Sequence, residues 1–201
     1  MEGRNGLDQA GAAFLRAKDL TQRLASLSLA RKPQLESLDM AAFLRREVDA
    51  FEAGPSVRIV WQIEEAIPEI PADRSQLREV IYNLLMNAVQ AMPRGGTVKI
   101  SLALVEIQPN DQETVLRAGD YLRLIVRDSG EGIAGSNIDR VFDPYFSTRP
   151  AAKGLGLSVV YAIVRQHSGR VNVESSPMAG TEVSLWFRVK TDDWSNAPFD
   201  D

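Results

Sequence analysis

The sequence predicts an α/β domain with a helical appendage at its N-terminus. Two observations carry this. Stretches with apolar residues three and four apart alternate with stretches in which apolar and polar residues alternate singly, the signatures of amphipathic helices and half-buried strands. The last two strands, Arg170–Ser175 and Thr181–Val189, are separated only by a turn at Pro177–Gly180. That short connection implies antiparallel pairing and argues against a βαβ dinucleotide fold. With 201 residues, 44% hydrophobic and 25% charged, the chain can bury a core without staples.

The elements follow in order. Residues 8–31 read as a helix whose stripe of Phe14, Ala17, Leu20, Leu24 and Leu27 needs a partner, and Pro33 stops it. Residues 33–38 read as a linker. Asp39 caps a second helix through about Glu52, with Ala42, Phe43 and Val48 inward. Val57–Ile63 alternates as a strand, and Pro68 and Pro71 then break the chain. Asp73 is the N-cap of a long helix reaching about Met92, whose apolar face is Leu77, Val80, Ile81, Leu84, Leu85 and Val89. Strands are expected at Thr97–Ile107 and Tyr121–Val126, and an apolar helix from Gly154 to about His167. The tail from Thr191 is acidic and expected to fray.

Composition excludes several chemistries. There is no cysteine and a single histidine, His167, so disulfides, thiolate sites and histidine-cluster metal sites are ruled out. A Ser-His-Asp triad would have to use His167. The net charge of −4 excludes a strongly basic nucleic-acid binder. No stretch approaches the roughly 18 apolar residues of a membrane span, and MEGRNGLDQAG lacks the apolar core of a signal peptide. The expectation is a soluble, cytoplasmic chain without membrane or nucleic-acid contacts.

Four short motifs bear chemistry. Asn83 and Asn87 sit at i, i+4 on the long helix, so their carboxamides share a face. Amide oxygens suit Mg²⁺, although two polar residues on a solvated face would look the same. Asp128-Ser-Gly-Glu-Gly132 follows a strand; its carboxylate can accept from an exocyclic amine, and Gly130 and Gly132 allow a flat ring or a sharp turn. Gly154-Leu-Gly-Leu157 opens a helix, where N–H groups and the dipole favour phosphate, with Arg149 and Lys153 adding charge. Phe142-Asp-Pro-Tyr-Phe146 could plug a core or gate a site. No Walker loop is present.

Each motif is weak alone, but their order across residues 73–189 is specific. It resembles the ATP-binding catalytic domain of bacterial sensor histidine kinases, within the GHKL group shared with DNA gyrase, MutL and a heat-shock chaperone. Asn83–Ala91 resembles that family's asparagine box, Asp128–Gly132 its first glycine box, Phe142–Phe146 its phenylalanine box and Gly154–Leu157 its second glycine box. Gly180-Thr181 also matches, and Ser158–Gly169 is similar to nitrogen-regulation-type kinases. Arg16–Leu24 resembles the second helix of the dimerisation and phosphotransfer hairpin.

The resemblance implies a two-layer α/β sandwich of the Bergerat type, with a mixed sheet and ATP between the helices and a lid. It implies that Asn87 coordinates Mg²⁺ beside Asn83, and that Asp128 receives the adenine amine with support from Thr181. Gly130 and Gly132 would shape the base pocket. Gly154, Leu155, Gly156, Leu157 and Lys153 would meet the phosphates, and Phe142 and Phe146 would anchor a lid over Ser147–Lys153. It implies domains at 1–32 (phosphotransfer-helix remnant), 33–190 (catalytic) and 191–201 (tail). The reaction expected is transfer of the ATP γ-phosphoryl to a histidine absent from this sequence, in a longer dimeric kinase or a partner, with a response regulator downstream. His167 is expected to be a structural cap and the chain alone to be unable to phosphorylate itself. Two alternatives remain. One is a nucleotide-binding pseudokinase or dimerising scaffold. The other is a GHKL-type ATP hydrolase, which would carry a glutamate base where this chain has Asn83, and an amide cannot take a proton from water at neutral pH.

Overall fold

The computed structural model describes residues 31–108, 116–148 and 154–189. The chain divides into two units, Met1–Lys32 and Pro33–Asp201. The expected helix at 8–31, apart from Arg31, which is a bend, and the acidic tail fall outside the described residues. So do Arg149 and Lys153.

Five strands form one sheet in the order β2-β4-β5-β7-β6: β2 (Val57–Ile63), β4 (Gly96–Ile107), β5 (Gly119–Asp128), β6 (Arg170–Ser175) and β7 (Thr181–Arg188). β2 runs parallel to β4, and the other pairings are antiparallel, including β6 with β7 as the short connection requires. Alternation decides the two faces. Val98, Ile100 and Leu102 on β4, Leu122, Leu124 and Val126 on β5, and Val183, Leu185 and Phe187 on β7 are buried. Helices α1 (Met40–Asp49), α2 (Arg74–Ala91) and α4 (Gly156–Gln166) supply the apolar stripes that complete this core.

Both expected caps form. Asp39 accepts from the Ala42 N–H at 2.9 Å. Asp73 Oδ1 accepts from the N–H groups of Ser75 at 2.9 Å and Gln76 at 3.1 Å. The sequence reading needs three corrections here. α1 ends at Asp49 rather than Glu52, and it buries Met40, Phe43, Leu44 and Val48 while Ala42 is exposed. The segment read as a linker contains β1 (Glu36–Leu38), which pairs antiparallel with β3 (Ile70–Ala72). Pro71 therefore sits inside a strand; on a two-stranded ribbon a missing N–H is tolerated. A one-turn helix, α3 (Gly135–Ile138), precedes the phenylalanine motif.

Candidate nucleotide site

The site is organised along α2. Leu77, Val80, Ile81, Leu84, Leu85, Ala88 and Ala91 are buried, which leaves Asn83 and Asn87 half-buried at the margin of that stripe. Asn83 Nδ2 donates to the Glu79 carbonyl at 2.8 Å, which fixes the amide. The N-terminus of α4 faces these amides. A Cβ on Gly156 would lie 3.1 Å from Asn87 Nδ2, 3.2 Å from Asn87 Oδ1 and 3.3 Å from Asn83 Oδ1. Glycine thus keeps open a space that both carboxamides line. Leu155, at the N-cap, offers no side-chain acceptor to the first turn of α4.

Asp128 ends β5 on its buried face, continuing the row Leu122, Leu124, Val126. Its Oδ1 accepts from the Gly130 N–H at 2.8 Å and the Thr181 N–H at 3.2 Å. The glycine loop is seated against the C-terminus of α2, where the Glu131 N–H donates to the Ala91 carbonyl at 3.1 Å. A side chain on Gly130 would collide with Ala91, and Gly132, at φ +69°, with the Ser176 carbonyl. Ser175 is a member of this cluster that no sequence motif flagged. Its hydroxyl accepts from the Ile133 N–H at 2.8 Å and lies 2.9 Å from Thr181 Oγ1. A lone serine at a strand end carries no pattern that announces such a contact.

The phenylalanine motif rests on α4. Phe142 packs on Tyr161 with ring centroids 5.2 Å apart, and the Arg140 guanidinium lies 4.4 Å from the centre of the Phe146 ring. Both phenylalanines are half-buried, so neither plugs the core. The Tyr145 N–H donates to the Gly154 carbonyl at 2.8 Å. Gly154 has φ +66°, and a Cβ there would strike the backbone of Tyr145 and Phe146. Leu155 and Leu157 are half-buried beside Gly156.

The structure therefore brings Asn83, Asn87, Gly154, Leu155, Gly156 and Leu157 together, and separately Asp128, Gly130, Gly132 and Thr181. α2 joins the two groups. Counting back from Ala91, Asn87 is about 6 Å and Asn83 about 12 Å along the axis. An open groove of about 360 Å³ between α1 and α2, lined by residues including Phe51, Tyr82 and Met86, lies on a different face of α2. Among the described residues no group of three or more His, Cys, Asp or Glu is placed to hold a metal. No helix among them is long and apolar enough to cross a membrane.

Residues 72–191 match the histidine kinase-, DNA gyrase B-, and HSP90-like ATPase family. The chain belongs to this family. It is 35% identical to the sensor histidine kinase ZraS of Escherichia coli K12 over 133 residues, which cover 66% of this chain and 26% of that protein. It is 36% identical to sporulation kinase A of Bacillus subtilis over 121 residues, covering 60% and 18%. The chain thus spans about a quarter or less of these two relatives. The mycobacterial sensor histidine kinase MprB superposes with a TM-score of 0.62 at 25% identity, over 77% of this chain and 97% of that one. Full-length ShkA in complex with AMPPNP superposes with a TM-score of 0.65 at 23% identity, over 89% and 39%, which shows a shared fold. The mixed five-stranded sheet with its helices is the architecture of histidine kinase catalytic domains.

Proposed function

We propose that this chain is the ATP-binding catalytic part of a cytoplasmic two-component sensor histidine kinase. In this reading it transfers the γ-phosphoryl of Mg-ATP to an imidazole of a separate phosphotransfer helix, in a dimeric assembly that serves a response regulator. The observation that carries the reading is the alignment of two subsites along α2: a carboxylate held by backbone N–H groups at one end, and two carboxamides facing a side-chain-free helix start at the other. An ionised carboxylate is acceptor-only with about four lone-pair sites, which suits Asp128 to the adenine amine. Gly130 and Thr181 hold that carboxylate in place through their N–H groups, and Gly132 lets the loop pass close to the Ser176 carbonyl.

The space at Gly156 is a cradle that a Cβ would fill, and hard amide oxygens with phosphate oxygens suit Mg²⁺. Asn87, with Asn83 beside it, would hold the ion, which when bound neutralises charge on the transferring phosphoryl group. Gly154, Leu155, Gly156 and Leu157 present the first turn of α4 to the phosphates, with Lys153 adjacent in sequence. Phe142 and Phe146 anchor the approach to the lid. Residues 33–190 form the catalytic unit, with 1–32 belonging to the phosphotransfer region and 191–201 to a tail. Transfer by positioning needs no nucleophile in this domain. Asn83 in place of a glutamate base disfavours water as the acceptor.

Calorimetric titration tests the site. Asn87→Ala should weaken Mg-ATP binding about tenfold, the loss of one charge-assisted contact. Asp128→Ala should abolish the preference for ATP over GTP. Unchanged binding in both variants would overturn the assignment.

A further inference from the structure

His167 is 3% exposed and Asp73 is 3% exposed, and neither belongs to the nucleotide motifs. His167 caps the C-terminus of α4. Its Nε2 accepts from the Asp73 backbone N–H at 3.0 Å, and its Nδ1 lies 2.8 Å from the Ile163 carbonyl. That arrangement requires the neutral ring with the proton on Nδ1. Asp73 caps α2, and its Oδ2 accepts from the Gln34 N–H at 2.8 Å. Gln34 is the second residue of the unit that begins at Pro33. Two residues later Glu36 pairs with Ala72 in the β1–β3 ribbon and binds Arg74 Nε at 2.8 Å.

From this geometry we propose that Asp73 and His167 are positioning residues that couple the cleft between α2 and α4 to the entry segment at Gln34. The inference rests on the nucleotide-site reading above. The two helices touch at matched points. Gly156, at the start of α4, faces Asn83 and Asn87, and His167, at its end, meets Asp73 at the start of α2. The span is about 16 Å along α4 and about 15 Å from Asp73 to Asn83. Gln76 Nε2 donates to Gln166 Oε1 at 3.2 Å as a further rung. A ligand that changes the spacing at Gly156 shifts a rod whose other end is bonded to Asp73. Asp73 in turn holds Gln34 through its carboxylate. Coupling of this kind is reciprocal, so the state of the entry segment also biases nucleotide affinity.

Hydrogen exchange on the full chain with and without saturating Mg-ATP, with calorimetry on the same samples, tests this. In the unmodified chain, nucleotide should slow the amides of 35–38 at least about fivefold, the lower end of usual coupling energies. His167→Gln, whose amide oxygen can replace Nε2 as acceptor, should keep that response. His167→Phe should bind nucleotide yet lose it. Gln34→Pro, at an exposed position, removes the N–H given to Asp73 without touching the core and should lose the response too. It decides the matter if His167→Phe does not fold. Nucleotide binding with no change at 35–38, or an undiminished response in Gln34→Pro, overturns the coupling and leaves the site reading intact. Absence of nucleotide binding in the unmodified chain overturns both.

Discussion

Gly156 separates stability from activity at a single carbon. Its position in the first turn of α4 is one where alanine is the better helix former by about 1 kcal/mol. The added Cβ would sit 3.1–3.3 Å from the Asn83 and Asn87 amides, tight enough to push them aside. Gly156→Ala should therefore keep or raise the melting temperature while weakening Mg-ATP binding about tenfold or more. Thermal melts and titrations of the one variant check both halves. His167 works the other way, on stability. Burial lowers its pKa, against the raising effects of the Ile163 carbonyl and the Asp73 carboxylate, and the Phe187 ring of β7 packs on it edge-on. The folded state thus prefers the neutral ring, and the unfolded chain binds the extra proton. The contribution is complete above the ordinary value of 6.5 and is lost as pH falls below it toward the depressed folded value. Denaturation midpoints at pH 7.5 and 5.5 should fall more in the unmodified chain than in His167→Gln, which has no proton to gain. An equal fall in both would remove His167 from the acid response.

Helices α1, α2 and α4 and the long strands were legible because each states its own period. α2 announces itself by Asp73, a continuous stripe and a proline turn after Met92, and its observed bounds are Arg74 and Ala91. β1 and β3 were not legible. Each is three residues long, and they bond to one another across more than thirty residues, so neither has a local pattern. The site divides in the same way. The residue types and their order were visible. The contact of Asn83 and Asn87 with Gly156, the Ser175 hydroxyl beside Thr181 and the bond from Asp73 to His167 depend on tertiary packing and were not. The two caps give an element-scale expectation. Asp39 is exposed and accepts one N–H, so Asp39→Ala should cost about 1 kcal/mol. Asp73 is buried and accepts from the Ser75, Gln76 and Gln34 N–H groups, so Asp73→Ala should cost clearly more than that, with the buried Gln76 donor left unmet. Urea unfolding of the two variants gives the comparison, and equal losses would mean that the additional bonds add nothing.

For the whole molecule, the decisive quantity is the distance between donor and acceptor. His167 is the only imidazole in the sequence, and α4 sets it about 16 Å from the glycine that faces the asparagines. In-line transfer requires the acceptor nitrogen about 3–3.5 Å from phosphorus. Incubated with γ-labelled ATP, this chain should acquire no acid-labile label. A phosphotransfer hairpin supplied with its own histidine should become labelled instead. Self-labelling that disappears in His167→Ala would contradict the placement of that ring. The hydrogen bond between Tyr145 and Gly154 has a consequence of another kind. It holds residues 145 and 154 together, so the eight residues of sequence between them, 146–153, join two points that are already bonded. Ring-closure entropy grows only with the logarithm of length, and doubling such a stretch costs about 0.6 kcal/mol. An insertion between them should therefore cost little stability and leave the contacts of Phe146 and Gly156 as they are, which a denaturation midpoint of a lengthened variant would check.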